Sequence, residues 1–377
     1  MHLYGAGRAM LPDAGEHMAW RWEPARYRVI IGLFQRPVGQ WLQQMNVIHS
    51  TDGFLQQHPG CVATIGKFDG VHRGHQQIVR QLIEKSKEYG LPSVVIVIEP
   101  HPEEFFASRP QDCPPRLSEA SEKVALLQAL GVDTVFLLPF DLPLSRLSPQ
   151  AYIEDILVSG LNIRCLIVGG DFRFGHRRAG DYSLLVEQGR RFGFEVQETA
   201  SCELDGVRIS STYVRELLAA GDFEQVRAAL GRPYAMTGHV VKGRQLGRNL
   251  GFPTCNLALN RRNIPLHGVY ACEVIIQMPV QASSEQGSES AGKQCAATIE
   301  AYGAANIGYR PTVTDQGAAL LEVHLLDFQG DIYGARVTVI FRKKIRPEHK
   351  FDTLEALTDR IRQDVEEVRQ HFAATVI

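Results

Sequence analysis

Short apolar runs alternate with amphipathic stretches from Cys61 to about Gly231, a pattern that predicts strands alternating with helices. We expect the strands at Cys61–Gly66, Ser93–Ile98, Thr134–Leu138, Cys165–Val168 and Glu195–Thr199. We expect the helices at His75–Tyr89, Ser118–Leu130, Pro149–Val158 and Tyr182–Phe192. Ser118 followed by Glu122 is typical of a helix start. Alternation of this kind builds a parallel sheet with helices on both faces.

The pattern changes near Gly231, where strands punctuated by glycine and proline replace the alternation. We predict strands at Tyr234–Val241, Gly268–Ile276, Ala319–Phe328 and Ala335–Lys343, followed by an amphipathic helix at Asp352–Phe372. A small antiparallel β-barrel with a C-terminal helix is the natural assembly of these elements. The segment from Pro279 to Lys293 is rich in Ser, Gln, Glu and Gly and is expected to be a flexible insertion.

The change of pattern divides the chain into three parts. Residues 1–44 carry no recognisable motif, and we expect an N-terminal extension that is poorly ordered or loosely docked. Residues 45–231 are expected to form the parallel-sheet domain, and residues 232–377 the barrel domain. A length of 377 residues is enough for two domains with separate cores.

Composition narrows the classes of function. A formal net charge of −2 gives no field that would gather nucleic acid or an anionic membrane. The seven cysteines are scattered and form no Cys-x-x-Cys pair, so neither a disulfide framework nor a zinc site is indicated. No apolar run approaches the roughly 20 residues of a membrane span. We therefore expect a cytoplasmic protein that binds any phosphates through local contacts, and the sequence neither requires nor excludes a homo-oligomer.

The stretch Ile65–His75 joins the first predicted strand to the first helix and is rich in glycine and histidine. Backbone N–H groups at a helix N-terminus are unpaired and the helix dipole is positive there, so this turn is suited to bind phosphate. His72 and His75 lie three residues apart and share one side of the first helical turn. An ordinary capped turn is the competing interpretation of His-x-Gly-His alone. Glycine leaves room for a triphosphate against the backbone at Gly66, Gly70 and Gly74.

Three later turns lie at the edge of the predicted sheet where open parallel sheets bind ligands. The prolines around His101 force extended backbone and could present that ring to the site. The loop Gly169–Asp181 combines glycines, aromatic residues and arginines, which suit ring stacking and phosphate binding. In Arg208–Arg215 hydroxyls cap a helix, and Arg215 lies one turn beyond Ser211 on the same side. A surface turn, a solvated basic loop and a simple helix cap are the competing interpretations.

A second candidate site lies in the barrel half, between Gly238 and Asn256. Its glycines and cations suit a flap over phosphates, and its Pro-Thr-x-Asn turn offers the Thr254 hydroxyl and the Asn256 amide oxygen to magnesium. Such a sequence on its own is more often only a turn. A later stretch, Asn306–Thr312, contains the arginine Arg310.

Glu322 stands in an otherwise apolar predicted strand. Strand alternation puts Glu322 and His324 on one face and Leu321, Val323 and Leu325 on the other. The pattern by itself allows two interpretations of Glu322, a catalytic base or a residue of the solvent face.

These motifs, in this order, resemble those of the bacterial bifunctional riboflavin kinase/FMN adenylyltransferases, or FAD synthetases. The first set is Gly-x-Phe-Asp-Gly-Val-His-x-Gly-His, Pro-His-Pro, Asp-Phe-x-Phe-Gly and Ser-Ser-Thr-x-x-Arg. The second set is Gly-x-x-x-Gly-Arg, Pro-Thr-x-Asn and Asn-Ile-Gly-Tyr-Arg-Pro-Thr. The resemblance implies an α/β nucleotidyltransferase domain, Rossmann-like with a parallel sheet, followed by a riboflavin kinase-like barrel. The family usually begins shortly before the first strand, which makes Met45 a candidate functional start.

The resemblance also implies chemistry: ATP-dependent phosphorylation of riboflavin to FMN, then transfer of AMP from ATP to FMN, giving FAD and pyrophosphate. It implies catalytic contacts of His72, His75 and Arg215 with the phosphates, and proton acceptance by Glu322 from the ribityl hydroxyl. Further nucleotide-binding positions implied in the first domain are Gly66, Phe68, Asp69, Gly74, His101, Asp171, Ser211 and Thr212. ATP- and flavin-binding positions implied in the barrel are Gly243, Arg244, Gly247, Gly251, Thr254, Asn256 and Arg310, with Mg²⁺ held by Thr254 and Asn256.

One departure from the family's pattern matters for the first domain, whereas Gly170, where the family often has a bulkier residue, is expected to matter less. The family usually has asparagine where this chain has Lys67, beside the phosphate-binding turn. Lysine is longer and charged, so it could clash, alter nucleotide affinity or retain pyrophosphate. Two alternatives therefore stay open: a monofunctional riboflavin kinase with an impaired first domain, and a flavin-binding sensor without turnover. The presence of Thr254, Asn256 and Glu322 together disfavours the sensor.

Overall fold

The computed structural model of the chain describes residues 45–243, 247, 250–279, 298–309 and 319–375. Within these ranges the chain forms a parallel sheet flanked by helices, then a closed antiparallel barrel and a C-terminal helix. This architecture confirms the predicted fold class. The predicted extension at residues 1–44 and almost all of the predicted insertion lie outside the described residues.

The sheet contains parallel strands in the order β1-β4-β3-β2-β5-β6. The strands are β1 Asn46–Ile48, β2 Cys61–Gly66, β3 Ser93–Glu99, β4 Thr134–Pro139, β5 Ile163–Gly169 and β6 Glu195–Thr199. The five predicted strands are confirmed, whereas β1 escaped prediction because its apolar pattern is too short. A separate hairpin pairs β7, Glu203–Leu204, with β8, Val207–Arg208.

Helices cover both faces of the sheet, and each face has its own hydrophobic core. The helices are α1 Phe54–Gln57, α2 Arg73–Tyr89, α3 Pro102–Phe106, α4 Ala120–Ala129, α5 Leu142–Arg146, α6 Pro149–Ala151, α7 Tyr182–Phe192, α8 Ser211–Ala220 and α9 Phe223–Leu230. The predicted start of α4 at Ser118 is wrong, because Glu119 and Glu122 form the capping box. The predicted helix over 149–158 is present, but only its first turn, α6, is α-helical, and it continues as a π-helix, Tyr152–Gly160.

The barrel closes in the order β10-β13-β12-β11-β14-β9. Its strands are β9 Ala235–Val241, β10 Thr254–Ala258, β11 Gly268–Gln277, β12 Thr298–Tyr309, β13 Ala319–Leu325 and β14 Arg336–Arg346. Prediction missed β10, which follows a Gly/Pro-rich turn, and β12, whose small residues give little apolar alternation. The barrel core is continuous with the apolar faces of α8 and α9.

Helix α10, Leu354–Thr375, packs against the outside of the barrel. Phe372 stacks on Tyr302 with ring centroids 4.1 Å apart. The nearly inaccessible Asp364 pairs with Arg346 at 2.8 Å and Arg360 at 2.9 Å. In the part of the chain that the structure describes, neither α10 nor any other helix has both the length and the apolar composition to cross a membrane.

Replacing Asp364 by alanine should loosen α10 from the barrel. Two arginines lose their shared carboxylate, and breaking a buried ion pair costs about 3–5 kcal/mol. Urea unfolding followed by circular dichroism should show this loss. Asp359→Ala, which removes an exposed pair with Arg362, is the matched control and should leave the midpoint unchanged. An unchanged midpoint in Asp364→Ala would contradict the role assigned to the buried pair.

Candidate active sites

The turn between β2 and α2 has an unusual backbone. Phe68, Gly70 and Val71 have φ angles of 50°, 81° and 40°, a region that is costly for residues with a side chain. The side chains of Phe68 and Val71 are buried in the core, which holds the loop in this shape. A Cβ on Gly70 would lie 2.8 Å from the Leu117 side chain, so this position requires glycine. The result is a rigid loop that leads into a helix N-terminus, the geometry that binds anions.

His72 and His75 stack on each other at the start of α2, with ring centroids 3.7 Å apart and planes 19° from parallel. His72 caps the helix, because its Nδ1 accepts a hydrogen bond from the His75 backbone at 3.4 Å. A Cβ on Gly74 would come within 3.1 Å of the His72 ring, so glycine gives the ring its space. The Nδ1 atom of His75 is buried and has no hydrogen-bond partner in the described part of the chain.

Burial sets the charge of these two rings. It lowers the pKa of His72 to about 4, with Asp69 opposing the shift and nearby arginines adding to it. Burial, followed by the neighbouring His72, also holds the pKa of His75 well below its ordinary value. Both rings are therefore neutral near pH 7 and offer hydrogen bonds without a positive charge.

Asp69 anchors the turn. Its carboxylate is almost inaccessible and accepts hydrogen bonds from the backbone N–H groups of Leu117 and Ser118, each at 3.0 Å. Arg215 donates to the same carboxylate at 2.5 Å. The Ser211 hydroxyl donates to the Asp69 carbonyl at 2.9 Å. The structure thus brings together three of the residues predicted for this site, Asp69, Ser211 and Arg215, although they are far apart in sequence.

His101 belongs to a buried network of charges at the end of β3. Its Nε2 lies 2.7 Å from the Lys123 ammonium, which pairs with Glu99 at 3.0 Å. Arg116 joins Glu99 to Glu104. Burial, followed by Lys123, places the pKa of His101 far below its ordinary value, so this ring is neutral as well. The sequence analysis did not identify Lys123. The signal that could have revealed it is a lysine at an apolar position of a predicted helix.

Other residues around the first site are more exposed. Asp171 is 65% exposed and pairs with Arg208 at 2.8 Å. Thr212 is exposed in the first turn of α8. Lys67 does not extend freely, because its ammonium lies 2.7 Å from Glu103 in α3. Exposed pairs of this kind contribute little to stability and can exchange partners at small cost.

The second candidate site lies on the outer face of the barrel. Glu322 in β13 stands directly opposite Asn256 in β10 and Asn306 in β12, and directly opposed side chains share a face of a sheet. Leu321 and Val323 point the other way and fill the barrel core. The predicted alternation of this strand is confirmed. Glu322 is therefore flanked by two amide side chains on an outward face.

The flanking residue Asn256 carries an unsatisfied oxygen. Its Oδ1 is buried and has no hydrogen-bond partner among the described residues. Gly243 lies directly against it, since a Cβ there would be 2.2 Å from the Asn256 amide nitrogen. A Cβ on Gly247 would come 3.5 Å from the Thr254 hydroxyl. Hydroxyl and amide oxygens are ligands that magnesium accepts, so these residues fit that ion.

The structure describes only some of the remaining residues predicted for the barrel site. Gly251 has a φ of 84° in the turn before β10, with open space beside it. His324 shares the outward face of β13, and its Nδ1 lies 2.8 Å from the Pro253 carbonyl. This contact fixes the turn that precedes β10. Arg244 and Arg310 lie outside the described residues.

The buried His72 predicts how stability depends on pH. Its pKa falls from 6.5 to about 4 on folding, so between these values the unfolded chain binds a proton that the folded chain excludes. The contribution is fully present above pH 6.5, and about 3 kcal/mol is lost as the pH falls toward 4. Denaturant titrations should show a smaller loss over this window in His72→Gln. His49→Gln, at an exposed histidine, should behave as wild type; an unaltered pH dependence in His72→Gln would refute the burial of this ring.

Comparison with known proteins matches each half of the chain to an enzyme family. The sequence model of the FAD synthetase family matches residues 55–213, and that of the riboflavin kinase family matches residues 230–372. The bifunctional riboflavin kinase/FMN adenylyltransferase of Pseudomonas fluorescens is 44% identical over 325 residues, which cover 86% of this chain and 97% of that protein. The protein of the same name from Escherichia coli K12 is 42% identical over 323 residues, covering 85% and 96%.

A solved structure is also similar along most of the chain. It is described as a macrolide-efflux protein from Streptococcus pneumoniae, with a TM-score of 0.66 and 27% identity, and it covers 86% of this chain and 99% of that one. The two family matches fall in the order of the two folds, and the relatives are matched over nearly their full length. The chain belongs to the bifunctional riboflavin kinase/FMN adenylyltransferase family.

Proposed function

We propose that this chain makes FAD from riboflavin in two ATP-dependent steps. Residues 232–377 phosphorylate riboflavin to FMN, and residues 45–231 transfer AMP from a second ATP to that FMN. One observation carries the proposal: each half holds its own set of groups. Stacked neutral histidines stand at a helix N-terminus in the first half. In the second half a carboxylate is flanked by two amides, and one of these amides packs against Gly243.

In the barrel, Glu322 accepts the proton of the ribityl 5′-hydroxyl. The hydroxyl oxygen forms a bond to the γ-phosphorus of ATP, the bond to the β-phosphate oxygen breaks, and ADP leaves. The outward position of Glu322 supports this role, because the base must reach a bound flavin. Thr254 and Asn256 are the residues that would hold magnesium, which when bound neutralises charge on the phosphates.

In the sheet domain, a phosphate oxygen of FMN attacks the α-phosphorus of ATP and pyrophosphate leaves. The phosphate of FMN carries no proton that must be removed, so the step needs orientation and charge stabilisation more than a base. Neutral His72 and His75 suit this task, since they donate hydrogen bonds beside the N–H groups of α2. Arg215 lies at the same turn, and its contact with the phosphates stays a prediction.

Lys67 is compatible with this second step. Its ammonium pairs with Glu103, and the two side chains are 46% and 39% exposed. The carboxylate of Glu103 offsets the charge that the lysine adds beside the turn. This pairing favours the bifunctional enzyme over a kinase with an impaired first domain.

Lys67→Asn should therefore leave FAD formation from supplied FMN within about threefold of wild type, because an exposed pair contributes little. Initial rates at saturating ATP measure this. The charge-preserving Lys67→Arg is the control and should also match wild type. A large gain of FAD formation in Lys67→Asn alone would instead identify an impaired first domain.

Two substitutions should separate the activities. Glu322→Gln removes the base and should lower FMN formation about 10²- to 10⁴-fold, while supplied FMN is still converted to FAD. His75→Ala should abolish FAD formation and leave riboflavin phosphorylation intact. His49→Ala, at an exposed histidine, controls for the substitution itself. Chromatography of flavins after timed incubation gives both rates, and loss of both activities in either variant would overturn the assignment of separate sites.

A further inference from the structure

The loop that follows β10 in the barrel docks on the first domain through Arg261, whose side chain is completely buried. Its Nη1 donates to the backbone carbonyls of Leu117 at 2.8 Å and Arg116 at 3.2 Å. The same nitrogen lies 3.0 Å from the Tyr234 hydroxyl, and Nη2 pairs with Glu122 at 2.5 Å. One barrel side chain therefore holds the backbone of the stretch that precedes α4.

The opposite side of that stretch holds the phosphate turn. The N–H groups of Leu117 and Ser118 donate to Asp69, and the Ser118 hydroxyl accepts a hydrogen bond from the Gly70 N–H at 2.9 Å. Leu117 thus links the two halves directly, because its N–H donates to Asp69 in the turn and its carbonyl accepts from Arg261. Its side chain also packs on Gly70.

A second arginine supports the same turn. Arg232 donates to the carbonyls of Gly70 at 2.7 Å and Val71 at 3.2 Å. Tyr234, two residues later, donates its hydroxyl to the Leu117 carbonyl at 3.1 Å. Residues assigned to the barrel therefore contact the turn both directly and through residues 116–118.

We propose that Arg261 is a positioning residue for adenylyl transfer, although it belongs to the kinase half of the chain. This inference rests on the proposed function of the first domain. The turn contains non-glycine residues at positive φ, and such a backbone persists only where its surroundings over-determine it. By fixing residues 116–118, Arg261 fixes Asp69 and hence the turn that presents His72 and His75 to the phosphates.

Arginine is needed because the site has several acceptors. Its planar fork reaches two carbonyls, a hydroxyl and a carboxylate together, whereas lysine is a point charge that cannot satisfy all four. Arg261→Lys keeps the charge beside Glu122, so it removes the geometry without leaving a buried carboxylate unpaired. This makes it a milder variant than one that removes the charge.

Steady-state rates of the full chain test the proposal, with FAD formation from supplied FMN and FMN formation from riboflavin measured on one preparation. In Arg261→Lys the kcat for FAD formation should fall about 10- to 100-fold, with the KM for FMN and ATP within about threefold of wild type. The kcat for FMN formation, an activity proposed for the half of the chain that contains Arg261, should stay within about twofold of wild type. Arg342→Lys alters a pair with Glu273 on the outer face of the barrel and should change neither rate.

A kcat for FAD formation equal to wild type in Arg261→Lys would overturn the positioning role. Parallel loss of both activities would overturn it too, because it would indicate general destabilisation. Absence of FAD formation by the wild-type chain would be a different failure, that of the proposed function itself. Partial recovery of FAD formation by added guanidinium in Arg261→Ala, and none in wild type, would support the proposal independently of the lysine variant.

Discussion

The buried carboxylate of Asp69 is the contact on which the first active site depends. A carboxylate removed from water is costly unless its oxygens are paired, and here the partners are two backbone N–H groups at 117–118 and the guanidinium of Arg215. These partners come from separate stretches of the chain, so the turn reaches its shape only after long-range packing is complete. The stacked rings of His72 and His75 therefore lie at the N-terminus of α2, beside a turn whose shape is fixed.

The barrel site depends on a different constraint, the register of its strands. Side chains alternate along a strand, so a slip of one residue would turn Glu322 into the core and Leu321 out of it. The pairings of Asn256 and Asn306 with Glu322 hold this register on both sides. The same strand that carries Asn256 continues into the loop of Arg261, so the barrel site and the support of the turn share one short piece of backbone.

Much of the fold followed from periodicity, because apolar runs in β2 to β5 and the alternation around Glu322 are strong local signals. Local signals failed where capping and pairing are decided by distant residues. Ser118 looks like a helix cap in sequence, but its hydroxyl accepts a hydrogen bond from the Gly70 N–H, and Glu119 caps the helix instead. Lys123 and Arg261 were beyond prediction, since burial of a charge is decided by partners far along the chain. The motif residues were identified by resemblance, and their convergence required the structure.

The central claim is that one chain catalyses both reactions. Its most direct test is a chromatographic time course with purified protein, riboflavin, ATP and magnesium. The bifunctional assignment predicts that riboflavin declines, FMN rises and then gives way to FAD, with pyrophosphate appearing in step with FAD. FMN that accumulates without FAD would contradict the second activity. Tight flavin binding without ATP consumption would contradict both.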